Sequence, residues 1–177
     1  MESVARLSPA ERRELFAETA ARKGMTPAVV EKDFWVCWTL GRLFMHPELS
    51  RLLMFKGGMS LSKVFKLIER FSEGIDLILD WRVVTGEDDP LTERSATKQE
   101  AMNKAIEAKA VDYIGGELLA MVSQVVDPVC RCELAADDLH AINVIYPAAF
   151  SDAYLRPEVR VYEILCKRSF GRKLPKL

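Results

Sequence analysis

Two segments decide the fold of this chain: Phe55-Lys56-Gly57-Gly58-Met59-Ser60-Leu61-Ser62-Lys63 and, one helix later, Arg70-Phe71-Ser72-Glu73-Gly74-Ile75-Asp76-Leu77. Residues 51–56 are mostly apolar and predict a strand, and the paired glycines allow a tight turn. Ser60 can cap the helix that follows. The second segment predicts another strand, which carries the carboxylate of Asp76. The predicted order is therefore strand, glycine turn, helix and strand.

The glycine turn suits a phosphate group. Free N–H groups and the positive end of the helix dipole point to the space in front of Ser60. Neither Gly57 nor Gly58 has a side chain that would obstruct this space. We expect the turn to bind a phosphate and an acid on the neighbouring strand to hold a metal ion.

The two segments resemble the AbiEii/AbiGii-type toxins, nucleotidyltransferases of the DNA polymerase β-like superfamily. The family pattern is similar to Gly-Gly-Thr-Ser-Leu-Ser, a helix, and Arg-Phe-Ser-Glu-Asp-Ile-Asp-Leu. This chain departs from it at Met59, where the family has Thr, and at Gly74, where it has the first Asp. The resemblance covers about residues 26 to 163 and includes two further segments: Glu31-Lys32-Asp33-Phe34-Trp35-Val36 and Tyr154-Leu155-Arg156-Pro157-Glu158-Val159-Arg160.

The resemblance implies a site for divalent ions, Mg²⁺ or Mn²⁺, held by two acids at positions i and i+2 of a strand. Alternate residues of a strand share a face, so acids at this spacing converge. Here the face carries Gly74 and Asp76, so one ligand is missing. Glu73 has the wrong parity unless the strand begins after it or a bulge at Gly74 turns it to the other face. Asp80 lies about 13 Å from Asp76 at ~3.3 Å per residue.

We expect Glu163, on a neighbouring strand, to join Asp76 as metal ligand and catalytic acid, although a solvated acid at a strand end explains Glu163 equally well. The expected nucleotide-binding residues are Gly57, Gly58, Ser60, Ser62 and Lys63. A surface lysine is an equally good interpretation of Lys63.

Composition sets wider limits. The chain has 177 residues, of which 49% are hydrophobic and 29% charged, and this is typical of a soluble protein of one domain. We divide it into a helical section, 1–50, and a core, 51–177. No apolar run reaches the length of a membrane span, and the first residues lack the apolar core of a signal peptide, so we expect a cytoplasmic protein without membrane contact. The net charge of −1 gives no global basic field for nucleic acid.

Local patterns predict the remaining elements. Ser8-Pro9-Ala10-Glu11 is a capping box that starts a helix ending at Gly24. A second helix begins at Thr26-Pro27, with a predicted buried stripe of Val30, Phe34, Cys37, Trp38 and Gly41. In this helix, Glu31-Lys32-Asp33 either forms surface ion pairs or lies near the active site.

The later part of the chain predicts further helices and strands. A loop is expected at 85–90, and a helix capped at Thr97-Lys98-Gln99-Glu100 is expected to reach about residue 126. Gly115-Gly116 should break or bend that helix. Residues 127–140 are interpreted as a connection, and 141–146 and 159–165 as strands.

These observations predict an α+β, nucleotidyltransferase-like fold with a small mixed sheet covered by helices. The resemblance implies transfer of a nucleoside monophosphate from a nucleoside triphosphate to an RNA such as tRNA, by a toxin of a toxin–antitoxin or abortive infection system with a cognate antitoxin. The alternative is a catalytically impaired module that binds a nucleotide or a partner, because Gly74 replaces a metal-binding Asp. Relatives usually continue into a helical region with a lysine and a further acid; no match occurs before Leu177, so we expect weakened activity.

Overall fold

A computed structural model describes residues 1–56, 74–86, 89 and 92–163 of the protein, without the side chains of Tyr162 and Glu163. Several predicted features lie outside these residues: the glycine turn with Gly57, Gly58, Ser60, Ser62 and Lys63, the helix after it, and Glu73.

The chain begins with four helices: α1 (Glu2–Ala5), α2 (Pro9–Lys23), α3 (Pro27–Met45) and α4 (Pro47–Leu52). The predicted capping box of α2 is confirmed, because the Glu11 N–H donates to Ser8 Oγ and the Ser8 N–H donates to Glu11 Oε2. Gly24 ends the helix at φ +66°, a backbone conformation that favours glycine. Thr26 caps α3 by accepting from the N–H of Val29.

The buried face of α3 differs from the predicted stripe. Only Trp38 of that stripe is buried, and Gly41 is exposed. The residues that α3 buries are Glu31, Lys32, Trp35, Val36, Trp38, Thr39 and Leu43. Apolar spacing misplaced this face because it includes two charged residues whose groups bond to a distant part of the backbone.

Five strands form one mixed sheet: β1 (Leu53–Lys56), β2 (Gly74–Leu79), β3 (Arg131–Ala135), β4 (Asp138–Ile145) and β5 (Glu158–Glu163). Their order is β1-β2-β5-β4-β3, and only the pair β2–β5 is parallel. The interpretation of 127–140 as a connection was wrong, because β3 and the start of β4 lie there. β3 is an edge strand that alternates exposed charges with partly buried apolar residues, a pattern easily taken for a loop.

Three further helices and a π-helical segment separate β2 from β3: α5 (Arg82–Thr85), α6 (Ala96–Tyr113), the π segment (Ile114–Leu118) and α7 (Leu119–Val126). The predicted irregularity at Gly115-Gly116 is confirmed as the π segment. The predicted cap at Thr97 was wrong by two residues, because α6 begins at Ala96 and its N-cap is Ser95. α5 also extends into the start of the predicted loop.

One face of the sheet packs against α3, α6, the π segment and α7. The strand residues on this face are fully or almost fully buried: Ile75, Leu77, Leu79, Ile142, Val144, Val159 and Val161. The architecture confirms the predicted α+β class, with a small mixed sheet and an N-terminal helical section. None of the helices in the described part of the chain is both long and apolar enough to span a membrane.

Candidate functional site

Asp76 lies on the polar face of the sheet, opposite the core. Along β2, Ile75, Leu77 and Leu79 are buried, whereas Asp76 and its neighbours at i−2 and i+2 are half-buried. This alternation follows from strand geometry and confirms the parity predicted from the sequence. The carboxylate therefore projects from the face of the sheet opposite α3, α6, the π segment and α7.

Lys56, the last residue of β1, pairs with Asp76 across the antiparallel ladder. Burial raises the pKa of Asp76, and the nearby charge of Lys56 opposes this increase. Gly57 follows Lys56 in the chain, and consecutive Cα atoms are about 3.8 Å apart. The predicted phosphate turn therefore begins beside the candidate acid.

Arg160 occupies the other flank of this site. On the parallel strands β2 and β5 it pairs with Gly74, and across β4 it pairs with Asn143. Its Nε donates to Asn143 Oδ1 at 3.1 Å, and its two terminal nitrogens donate to the two carboxylate oxygens of Asp137 at 3.0 and 2.7 Å. The pKa of Asp137 is lowered, chiefly by this hydrogen bonding. A guanidinium thus stands next to the position where the family pattern has its first acid.

A cleft of about 250 Å³ opens beside Gly74. Its other lining residues are Lys32, Asp137, Tyr154, Arg156, Glu158 and Arg160. Two of these residues, Tyr154 and Arg156, come from the β4–β5 loop, which we define as residues 147–157. The cleft is predominantly polar and carries three cationic and two anionic side chains.

Charged residues of α2 and α3 hold the β4–β5 loop in place. Both carboxylate oxygens of Glu31 accept backbone N–H groups, from Ala149 at 2.7 Å and Phe150 at 3.0 Å. The ammonium of Lys32 donates to the carbonyl of Arg156 at 3.1 Å and also to that of Glu158. Both charged residues are only 2% exposed.

The arginines of α2 add to this arrangement. Arg12 donates to the carbonyl of Pro147 at 2.7 Å, and Arg13 donates to that of Ala149 at 3.0 and 2.6 Å. Tyr146 stacks on the buried Trp35 with ring centroids 5.3 Å apart. Of the two alternatives for Glu31 and Lys32, surface ion pairs are excluded, because both residues are buried and bond to the backbone of the loop that lines the cleft.

Glu163 lies on β5, the strand next to β2, as expected. The register pairs it with Leu77, and it pairs Tyr162 with Asp76. Leu77 and Val161 lie on the face of the sheet that packs against the helices, so strand parity gives position 163 that face and not the face of Asp76. Its role as a metal ligand stays a prediction, because its side chain is outside the described structure.

No group of three or more His, Cys, Asp or Glu side chains in the described part of the chain could hold a metal ion. Cys130 and Cys132 are free thiols that form no disulfide with each other. Burial raises the pKa of Cys130 to about 12 and that of Cys132 to about 11, so both thiols stay protonated near neutral pH.

Sequence reasoning assigned no role to Arg156, Arg160 or Asp137. The downstream segment of the resemblance contained both arginines, but nothing in the sequence indicated that their neighbours would be Gly74 and a turn between β3 and β4. Asp137 gave no signal, because β3 itself was missed.

Comparison with known proteins supports the family interpretation. The family model described as "Nucleotidyl transferase AbiEii toxin, Type IV TA system" matches residues 38–164, which is most of the chain and includes Asp76, Arg160 and Glu163. The match begins after Glu31 and Lys32. No curated protein and no solved structure matches the chain.

Proposed function

The chain belongs to the AbiEii family of nucleotidyl transferase toxins of type IV toxin–antitoxin systems, and from this premise we propose that it transfers a nucleoside monophosphate from a nucleoside triphosphate to an RNA acceptor such as tRNA. The observation that carries the proposal is the position of Asp76. Half-buried Asp76 pairs across the sheet with Lys56, the residue before the predicted glycine turn.

The chemistry requires the triphosphate and a catalytic carboxylate to lie close together. In our proposal, the N–H groups at Gly57, Gly58 and Ser60 bind the phosphates, with Ser62 and Lys63 also on the nucleotide. The charge of Lys56 would then lie between the phosphates and Asp76. Positioning of this kind can contribute much of a rate enhancement, because the reacting groups need not find each other in solution.

The described residues alone do not make a complete site for Mg²⁺ or Mn²⁺, since they supply one carboxylate, Asp76, on this part of the sheet. Glu163 is the proposed second ligand, and this role requires the end of β5 to turn it towards Asp76, because its register partner Leu77 belongs to the opposite face. A divalent ion, when bound, would offset the negative charge of the phosphates. Mg²⁺ keeps several water ligands and can be bound through one or two carboxylates together with substrate phosphates.

A second candidate function is supported by the pairing of Gly74 with Arg160. A site with a glycine and a guanidinium, where the family pattern has an acid, favours binding of an anion over binding of a cation. In this alternative the protein binds a nucleotide or a partner without transfer. For either function, the proposed protein partner is a cognate antitoxin, and the proposed location is the cytoplasm.

The decisive experiment is transfer of label from an α-³²P-labelled nucleoside triphosphate to total tRNA. We expect Asp76→Asn to lower the rate by about 100-fold or more, because even residues one shell away from a metal typically matter 10- to 100-fold. The matched control is Asp80→Asn, which has the same strand parity but lies about 13 Å away. Equal rates in the two variants would refute the assignment of Asp76.

Calorimetry with a nucleoside triphosphate tests the other half of the site. Gly58→Val should abolish binding if the glycine turn holds the phosphates. Triphosphate binding without detectable transfer by the unaltered protein would select the non-catalytic alternative. Unchanged triphosphate binding in Gly58→Val would show that the phosphates do not bind at the glycine turn.

A further inference from the structure

We propose that the cleft beside Gly74 is the subsite for one nucleotide of a single-stranded RNA acceptor, with Tyr154 stacking on its base and Arg156 and Arg160 binding its phosphate. This inference rests on the proposed function and adds to it the place and chemistry of acceptor recognition.

The size of the cleft favours a single nucleotide unit. Its volume of about 250 Å³ is slightly below the range of ~300–1,000 Å³ usual for pockets that enclose a drug-sized ligand. This volume is enough for one phosphate with part of its sugar and base. The walls are polar, as expected of a site for a charged backbone.

The cationic groups are arranged for a phosphate. Arg156 is exposed, but its carbonyl is fixed by Lys32 Nζ at 3.1 Å and by the hydroxyl of Tyr146 at 3.4 Å. The positive charges of Arg160 and Arg156 both contribute to lowering the pKa of Asp137, so both guanidinium groups lie near the Asp137 carboxylate. Arginine can bind a phosphate through two parallel hydrogen bonds.

Asp137 occupies the place that we assign to the phosphate. It pairs with Arg160 through both carboxylate oxygens, yet its side chain is 68% exposed, whereas that of Arg160 is 19% exposed. A phosphate presents two oxygens to arginine in the same bidentate geometry as a carboxylate. An incoming phosphate can therefore replace Asp137 on a guanidinium that Asn143 continues to orient.

Tyr154 supplies the surface for the base. This aromatic residue is 91% exposed, although its backbone is held, because Asp152 Oδ1 accepts from the N–H groups of Tyr154 at 2.7 Å and Leu155 at 3.0 Å. An exposed aromatic ring beside arginines is typical of proteins that bind single-stranded nucleic acid.

The position of the cleft assigns it to the acceptor. Gly74 precedes Asp76 by two residues on the same face, which is about 6.6 Å along the strand. The predicted triphosphate turn leaves β1 on one flank of Asp76, and the cleft lies on the other flank, toward β5. Two substrates bound on opposite flanks would meet at the carboxylate.

The test measures RNA and triphosphate binding separately. Binding of a short fluorescein-labelled single-stranded oligoribonucleotide is followed by anisotropy, and binding of ATP and GTP by calorimetry. We expect Tyr154→Ala to weaken RNA binding about 5- to 100-fold, which is the range found for loss of a stacking aromatic residue. Tyr154→Phe keeps the ring and should bind RNA as the unaltered protein does.

Arg156→Gln should also weaken RNA binding and should reduce the slope of log K against log salt by about 0.7, the value for one phosphate contact on a single strand. The fold should be preserved, because Lys32 and Tyr146 contact only the carbonyl of Arg156. The matched control is Arg51→Gln, an exposed arginine of α4 near the end of β2 that lies away from the cleft. Triphosphate affinity should stay within about twofold in all these variants.

Three results would overturn the inference: no RNA binding by the unaltered protein, equal RNA affinity in Tyr154→Ala, Arg156→Gln and Arg51→Gln, or loss of triphosphate binding in place of RNA binding. The last result would make the cleft part of the nucleotide site. Failure of the proposed function has a different signature, since RNA binding would depend on the cleft while no label is transferred.

Discussion

Gly74 and Arg160 are register partners on β2 and β5, the parallel pair among the five described strands. The position where the family pattern has an acid therefore lies beside an arginine. Arg160 is held there by Asn143 and Asp137. This relationship has two consequences: the site lacks one negative charge, and a positively charged residue occupies the neighbouring strand beside any acid introduced at this position.

The Gly74→Asp substitution tests the first consequence. It should raise the affinity for Mn²⁺, because it completes the i, i+2 pair of carboxylates on one face of β2. Calorimetric titration with Mn²⁺ measures the change. An affinity equal to that of the unaltered protein would mean that the missing acid is not what limits metal binding.

The double variant Gly74→Asp, Arg160→Gln tests the second consequence. In the single variant, the guanidinium should pair with the new carboxylate and compete with the metal ion. We therefore expect the double variant to bind Mn²⁺ about tenfold more tightly than Gly74→Asp alone, which corresponds to ~1.4 kcal/mol. The variant Arg160→Gln by itself serves as the control and should gain much less.

The raised pKa of Asp76 predicts a dependence of stability on pH. Burial raises this pKa above its ordinary value of 3.8, so the folded state binds the proton more tightly than the unfolded state does. Stability from this group is present below the ordinary pKa and is lost as the pH rises through the folded-state pKa.

Asp76→Asn should therefore increase the free energy of unfolding at neutral pH, and the difference from the unaltered protein should shrink below pH 3.8. Urea unfolding at several pH values measures it. If the variant is less stable at neutral pH, Asp76 has a favourable contact that outweighs its burial. Gain of stability with loss of transfer would be typical of a functional carboxylate.

The sequence predicted the structural features that are determined by residues close to them in the chain. The capping box at Ser8 and Glu11, the glycine that ends α2 and the alternation around Asp76 each depend on neighbours within a few residues. The irregularity at Gly115-Gly116 was predicted for the same reason.

Features that depend on contacts between distant residues could not be predicted in this way. The buried face of α3 contains Glu31 and Lys32 because the β4–β5 loop, more than a hundred positions later, presents N–H and carbonyl groups to them. Edge strand β3 was missed because its alternation of charged and apolar residues becomes meaningful only beside β4. The cleft is formed by the β4–β5 loop and by the turn between β3 and β4. Its lining residues therefore could not be predicted from the sequence alone.

The two glycines of the π segment form a matched pair for a stability prediction. A Cβ atom at Gly116 would meet no heavy atom within 4 Å, whereas one at Gly115 would lie 3.2 Å from Cδ1 of Leu134. Alanine is favoured over glycine in a helix by about 0.8–1.0 kcal/mol. Gly116→Ala should therefore stabilise the protein by up to about 1 kcal/mol, and Gly115→Ala should gain less or lose stability. Urea unfolding decides this, and the reverse order would contradict the packing described for Leu134.

The buried Glu31 provides the strongest prediction about stability. Glu31→Ala would leave the N–H groups of Ala149 and Phe150 without their acceptor. It would also remove the negative charge that opposes the lowering of the pKa of Arg12 by burial. Removing one member of a buried charge arrangement typically costs about 3–5 kcal/mol. We expect a loss of this size in urea unfolding.

The milder Glu31→Gln keeps one acceptor oxygen and should lose about 1.5–3 kcal/mol, the usual value for a hydrogen bond to a charged group. Exposed Glu14 on α2 provides the control, and Glu14→Gln should change the free energy of unfolding by less than about 0.5 kcal/mol. If Glu31 only stabilises the fold, RNA binding by the folded fraction of Glu31→Gln will equal that of the unaltered protein. If Glu31 also positions the β4–β5 loop for the cleft, RNA affinity will fall while triphosphate affinity stays constant, because the loop carries Tyr154 and Arg156.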